Sequence, residues 1–368
     1  MNFQVPETAV LSCFSTSYAE ARQKFLKACR SRSLCVDSRL NPNAKGVNGE
    51  SLYADIVRIG RADASKVLLL LSGTHGVEGY CGSGVQIALL NNGYFIDLPD
   101  DLSVIMIHAM NPYGFSHDRR VTEDNVDLNR NFLDFSQPDL PGMDYARIHE
   151  FILPNAWQGL ERQHADEQLH LFVKTHGMKA YQTAISSGQY RYPDGVFYGG
   201  QSPTWSNIMF RSFQSEYLVG RSVIGTLDFH TGLGPHGYGE LITIGTERQK
   251  ERAAQWYGDQ VTDPQAGTSS SANLDGMVAH SIVETLTDTK LAFVTLEFGT
   301  FPVNRVITAL RGDNWLYHKG DPDTALGKTI KQDIKEAFYP DTNAWKLSVW
   351  ARSSEVVQLA LTGVNQTN

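Results

Sequence analysis

Cysteine is scarce in this chain, and three of its few cysteines lie near the N-terminus. The four are Cys13, Cys29, Cys35 and Cys81, with no CxxC spacing among them. So few thiols in 368 residues argue against a disulfide framework and against cysteine ligation of zinc; reduced thiols in a cytosol are the expectation. Long apolar runs are also missing: no stretch approaches the roughly 18 residues needed to cross a bilayer. The N-terminal segment MNFQVPETAVLSCFSTS lacks a basic region followed by an apolar one, which predicts a protein that stays in the cytoplasm. No block of Lys and Arg occurs, and the formal net charge is −8, so neither nucleic acid nor membrane is an expected partner.

What is present is ordinary for a globular protein. Hydrophobic residues make up 41% and charged residues 20%, enough for a large core. Four apolar runs have strand length and no alternation: KVLLLLSG from Lys66, SVIMIHAMNP from Ser103, SVIGTLDFH from Ser222 and LAFVTLEFG from Leu291. Continuous apolar character of this length is expected of strands covered on both faces. SLYADIVRIG from Ser51 alternates as a half-buried strand does. Helical spacing marks Ser17–Arg30, Gly82–Asn91, Asp144–Phe151, Gln158–Ser186, Glu247–Tyr257, Val303–His318 and Thr324–Phe338. GTSSSANLDG, Gly267–Gly276, is a polar loop with no sign of a domain boundary. Strands alternating with helices predict an α/β fold. The expectation is a three-layer α/β/α sandwich around a mixed, mostly parallel twisted sheet, in one domain over residues 1–368 with a helical C-terminal part at 303–351.

The buried runs end in ionisable residues. KVLLLLSG leads into His75 and Glu78, SVIGTLDFH contains Asp228 and His230, and LAFVTLEFG contains Glu297. Parallel strands deliver their C-terminal ends to one edge of the sheet, where ligands bind in open α/β folds. Two histidines and one glutamate are the ligand set of a hydrolytic zinc site with an open position. His75 and Glu78, three apart on a turn entering a helix, share a side. Such a set neutralises only one of the two charges of the ion and leaves a strong Lewis acid, so a further carboxylate is needed to move the proton of the attacking water. Glu297 has that chemistry. The segment Asn111–Phe132 adds Arg119, Arg120 and Arg130. One guanidinium would stabilise an oxyanion and another would fork onto a carboxylate. Asp228, two before His230, faces the same side of its strand and either orients that ring or makes a structural hydrogen bond.

HGVE (His75–Glu78), NPYG followed by RRVTEDNVDLNRNF, DFHTG (Asp228–Gly232) and LEFGT (Leu296–Thr300), in this order, resemble the zinc carboxypeptidase superfamily over about residues 66–300. The resemblance implies one Zn2+ per chain on His75, Glu78 and His230, with Glu297 as general base. Arg120, nine residues before Asn129, matches the carbonyl-polarising arginine, with Arg119 as its neighbour and rival. Asn129 and Arg130 match the clamp for a substrate carboxylate, and Asp127 the carboxylate that orients the first zinc histidine. Tyr238 and Tyr198 are candidates for a substrate-capping tyrosine. The implied activity is cleavage of an amide bond next to a free carboxylate, in a metallocarboxypeptidase-type peptidase acting on small peptides. The alternative is an amidohydrolase of N-acyl amino acids, like aspartoacylase and succinylglutamate desuccinylase, which share HxxE, an arginine and DLNR. A zinc-binding module without catalysis is a third reading, and the presence of Glu297 counts against it.

Overall fold

The computed structural model describes residues 5–137 and 143–368. Its centre is an eight-stranded sheet of β1 (Val36–Lys45), β2 (Ser51–Ile59), β3 (Lys66–Leu71), β4 (Leu102–His108), β5 (Val223–Gly232), β6 (Gly239–Thr243), β7 (Val261–Thr262) and β8 (Lys290–Gly299), in the order β1-β2-β4-β3-β5-β8-β6-β7. The four long apolar runs are the middle strands β4-β3-β5-β8, all parallel to one another. β2 joins β4, and β6 joins β8, antiparallel, so the sheet is mixed around a parallel centre.

The alternation of side chains across those strands explains why apolar residues occupy most of their positions. Leu68, Leu70, Val104, Met106, Leu227, Val294 and Leu296 enter one core, covered by the helices Tyr18–Ser31, Gly79–Asn91, Glu247–Tyr257 and Asn343–Gln366. Val67, Leu69, Leu71, Ile105, Ile107, Ile224, Leu291 and Phe293 enter the opposite core, under the helices Trp205–Phe213 and Val278–Thr285. Both faces are dry, as expected for parallel strands between helical layers. A third apolar cluster stands beside the C-terminal edge of the middle strands. It joins Val77 to Ile185 of the helix Met178–Ser186, Val306 and Leu310 of the helix Val303–Lys319, and Phe338 of the helix Ala325–Phe338. This cap encloses the space above the strand ends.

Several elements depart from the sequence-based expectations. The helix expected over Gln158–Ser186 is two helices, Gly159–His176 and Met178–Ser186, separated at Gly177, whose φ of +86° no ordinary helix residue adopts. Asp144–Phe151 is a 3-10 turn, Met143–Arg147, followed by the short helix His149–Ile152. The helix expected to begin at Gly82 starts at Gly79. β1, β6 and β7 have no apolar run to mark them; β1 is an edge strand that tolerates Pro42 and exposes much of its length. The last helix extends to Gln366, well past residue 351. Among the described residues no helix is long and apolar enough to cross a membrane. All four cysteines are free thiols.

Candidate metal centre

The chain leaves β3 through Gly73, in a left-handed conformation at φ +67°, and enters a 3-10 turn at Gly76–Glu78. Two carbonyls of the neighbouring loop hold this turn: Gly76 N donates to Arg120 O (3.1 Å) and Val77 N to Arg119 O (2.8 Å). Gly76 packs so closely on the Gly114 backbone that any Cβ there would overlap it. The turn therefore has one available position, and it places His75 and Glu78 side by side at the sheet edge. From β5, His230 reaches the same point.

The three side chains converge through specific atoms. His75 Nδ1 lies 2.9 Å from Glu78 Oε1, His230 Nδ1 lies 3.0 Å from Glu78 Oε2, and the two Nδ1 atoms are 3.2 Å apart. One potential ligand atom from each residue falls within 4.8 Å of the others, in a buried group. Carboxylates meet the outer nitrogens: His75 Nε2 contacts Asp127 Oδ1 at 3.2 Å and His230 Nε2 contacts Asp228 Oδ2 at 2.9 Å. A proton on Nε2, donated outward to a carboxylate, leaves the Nδ1 lone pair facing the common centre, as a metal site requires. For His75 the arrangement is contested by Arg120 Nη2, 2.8 Å from the same Nε2. Asp228 also accepts from Thr74 Oγ1 at 2.9 Å, so it both contacts the ring and ties β5 to the end of β3.

Arg120 lies across this group. Its Nη1 donates to Glu78 Oε1 (2.8 Å) and its Nε to Asp127 Oδ2 (2.9 Å). Arg119 turns the opposite way, donating to Asp313 Oδ2 (2.8 Å) and Asn125 Oδ1 (2.9 Å), with Asp313 also paired to Lys331 at 2.7 Å. Arg130 is buried and donates only to carbonyls, Nη1 to Asn129 O (2.9 Å) and Nη2 to Ser186 O (2.6 Å). Among the described residues it has no carboxylate in ion-pair contact. The Phe197 ring lies 5.3 Å from the Arg120 guanidinium and 5.5 Å from that of Arg130. It stands at φ +52°, an unusual conformation for an aromatic residue and one that functional sites often hold. Asn129 Oδ1 accepts from Val278 N (3.0 Å).

Glu297 stands on β8 directly beside His230 on β5, the two being partners in the parallel register. Its Oε1 accepts from Leu233 N at 2.9 Å. Burial, followed by the nearby Glu78 charge, pushes its carboxyl up to about 7. Glu78 shows the opposite balance: burial favours its neutral form, but His75 and His230 outweigh burial and hold it below the carboxylate range. Burial likewise opposes ionisation of Asp127, and Arg120 and His75 overcome it. At His230, burial disfavours the charged ring, yet Asp228 and Glu78 raise it well above an ordinary histidine. Burial also lowers Arg130, against the pull of Asp127.

With both imidazoles neutral and every carboxylate ionised, as ligation of a cation requires, Glu78, Asp127, Asp228 and Glu297 face only Arg120 and Arg130, a deficit of two positive charges. A divalent cation would balance that sum, and the N,N,O donor set suits zinc. His75, Glu78, His230, Glu297, Arg120, Asn129 and Arg130 line one cavity of about 170 Å3. Asp127 and Asp228 lie behind it. Tyr238 is half exposed on a loop, and Tyr198 is buried with its carbonyl accepting from Asp127 N (2.7 Å); neither lines the cavity. His108, His117 and His236 are bonded elsewhere, to Ser83, to the Lys45 carbonyl and to the Thr300 carbonyl. Phe197, Asp313 and the Leu233 amide carry no motif in the sequence and emerge only from the packing.

Comparison with known proteins places this geometry in context. Carboxypeptidase A from Helicoverpa armigera is 16% identical, with a TM-score of 0.43 over 95% of this chain and 75% of that one. Thrombin activatable fibrinolysis inhibitor is 11% identical at a TM-score of 0.44, over 97% and 78% of the two chains. An aspartoacylase family protein from Mesorhizobium loti is 14% identical at 0.37, over 78% and 67%. No curated protein matches the chain. A family model does, across residues 14–352, a span that contains every strand of the sheet and every residue gathered at the cavity. The chain therefore belongs to the family described as protein of unknown function (DUF2817).

Proposed function

We propose that the chain is a metal-dependent hydrolase that cleaves an amide bond next to a free carboxylate, of the metallocarboxypeptidase type, with one zinc ion per chain. The observation that carries this reading is the meeting of His75, Glu78 and His230 at a cavity wall with Glu297 beside His230 in register. His75 and His230 would hold the ion through Nδ1 and Glu78 through its carboxylate, while Asp127 and Asp228 fix the rings from behind. A divalent ion there supplies Lewis acidity and brings the pKa of a water to about 7.

The remaining chemistry belongs to the chain itself. Glu297 accepts the proton of the attacking water and passes it to the leaving nitrogen, a task that suits a carboxylate lining the cavity directly beside His230. Arg120 stabilises negative charge growing on the scissile carbonyl oxygen. Arg130, a buried cation with no carboxylate partner among the described residues, binds the free carboxylate of the substrate together with Asn129. An anion-binding group inside the cavity favours an exo-acting enzyme over one that cuts within a chain.

The amidohydrolase reading, in which an acyl group is removed from one amino acid, uses the same residues. The cavity of about 170 Å3 favours it, being small beside the roughly 300–1,000 Å3 of typical ligand pockets. Zinc-loaded protein assayed on short peptides and on N-acyl amino acids separates the two. Hydrolysis of neither class removes the proposal. Glu297→Gln is expected to retain zinc and to lose about 10²- to 10⁴-fold in turnover; undiminished turnover removes Glu297 as the base.

A further inference from the structure

The cavity wall is unevenly charged. Its ionisable members are His75, Glu78, His230, Glu297, Arg120 and Arg130, and all of them belong to the centre already described. Arg120, held by Glu78 and Asp127, is assigned above to the scissile carbonyl oxygen, which leaves Arg130, among the described residues, as the one cation of the wall for the carboxylate of the substrate.

The surface between Arg130 and Glu297 is uncharged and mostly apolar. Thr295 lies on β8 two residues before Glu297 and so shares its face. Its cross-strand partner is Ile242 on β6. Ile244 follows on the same side of the chain, and Leu274 and Met277 continue the wall. Met277 immediately precedes Val278, whose amide binds the Asn129 side chain. The wall between the carboxylate clamp and the base is thus uncharged, with Ile242, Ile244, Leu274 and Met277 as its apolar members and Thr295, Ser270 and Ser271 as its polar ones. The clamp and the base bracket the residue that carries the free carboxylate and supplies the leaving nitrogen.

We infer that the substrate carries a single carboxylate, and that the amino acid bearing it has an uncharged, apolar side chain seated on Ile242, Ile244, Leu274 and Met277. This rests on the function proposed above and narrows it. Beside Ile242, Ile244, Leu274 and Met277 the cavity lining offers a second carboxylate no cation, and offers an ammonium no carboxylate other than Glu78 and Glu297, which the reaction uses. Either would lose water without a partner, which a buried apolar wall penalises heavily. Amides of aspartate, glutamate and lysine are excluded, and amides of leucine, methionine and phenylalanine fit.

Two measurements test this on the zinc-loaded protein. Calorimetric titration compares 4-methylpentanoate and 3-phenylpropionate with succinate, glutarate and 5-aminopentanoate, which needs no turnover. The apolar monocarboxylates are expected to bind at least about tenfold more tightly. Hydrolysis of N-acetyl-Leu, -Met and -Phe against N-acetyl-Asp, -Glu and -Lys is expected to differ by at least about 100-fold in kcat/KM. Met277→Lys, which sets a cation in the wall, is expected to shift preference toward the dicarboxylates by tenfold or more. Tighter binding of apolar ligands without any hydrolysis would support the apolar wall and remove the proposed reaction. Hydrolysis with acidic or basic residues preferred would do the reverse, and equal or absent binding of all the carboxylates would overturn the inference.

Discussion

Replacing Glu297 with glutamine is expected to stabilise the metal-free protein, and to do so by an amount that grows with pH. Burial and the Glu78 charge push the Glu297 carboxyl up to about 7, whereas in the unfolded chain it titrates near 4.3. The folded state therefore binds the extra proton between those values, so its contribution is fully present at low pH and is lost as pH rises through about 7. Every tenfold difference in proton affinity between the folded and unfolded chain corresponds to roughly 1.4 kcal/mol, so the ionised side chain costs about 1 kcal/mol at pH 5 and between about 3 and 4 kcal/mol above pH 8. Glutamine carries no charge and keeps an oxygen for the Leu233 amide, now 2.9 Å from Oε1. Urea unfolding of chelator-treated wild type and Glu297→Gln at pH 5 and pH 8.5 reads the effect. The advantage of the variant should grow by about 2 to 3 kcal/mol between the two conditions. Restoring zinc places positive charge beside the carboxylate and should abolish most of that growth. An advantage that stays constant with pH in the metal-free state would refute the account of Glu297 as a carboxyl held against its ionisation.

Other perturbations address the remaining parts of the centre. Glu78→Gln should lower zinc content from one ion per chain toward none, and should remove the rise in Tm that zinc causes in the wild type, both read by metal analysis and scanning calorimetry. Arg130→Gln should raise KM by about 10- to 100-fold for substrates with a free carboxylate, the worth of a charge-assisted hydrogen bond, while leaving any turnover of carboxamide analogues unchanged. Asp313→Ala strands the buried Arg119 beside Lys331 and should destabilise by about 3 to 5 kcal/mol in urea unfolding; adding Arg119→Met should recover part of that loss, because the uncompensated charge is removed.

The sequence by itself determined the middle of the sheet. A strand covered on both faces is apolar along most of its length, so β3, β4, β5 and β8 are legible as apolar runs that turn polar toward or just past their C-terminal ends. The ionisable residues at the ends of β3, β5 and β8 follow from the same logic, since polar groups appear where the strands leave the core. Edge strands carry no such constraint, so β1 and β7 left no readable pattern, while β6 is buried but too short, at Gly239–Thr243, to show one. The nine-residue interval to Asn129 favours Arg120 over Arg119, and only the tertiary structure shows what turns the two apart. Arg119 and Arg120 are adjacent and chemically alike, and the choice depends on Asp313, nearly two hundred positions away, which takes Arg119 to the other side. Tyr238 and Tyr198 lie off the cavity for a similar reason, since loop direction is set by contacts that no local spacing encodes. The apolar wall of the cavity is assembled from β6, β8 and the loop before Val278, segments whose Ile, Leu and Met residues are indistinguishable in sequence from ordinary core.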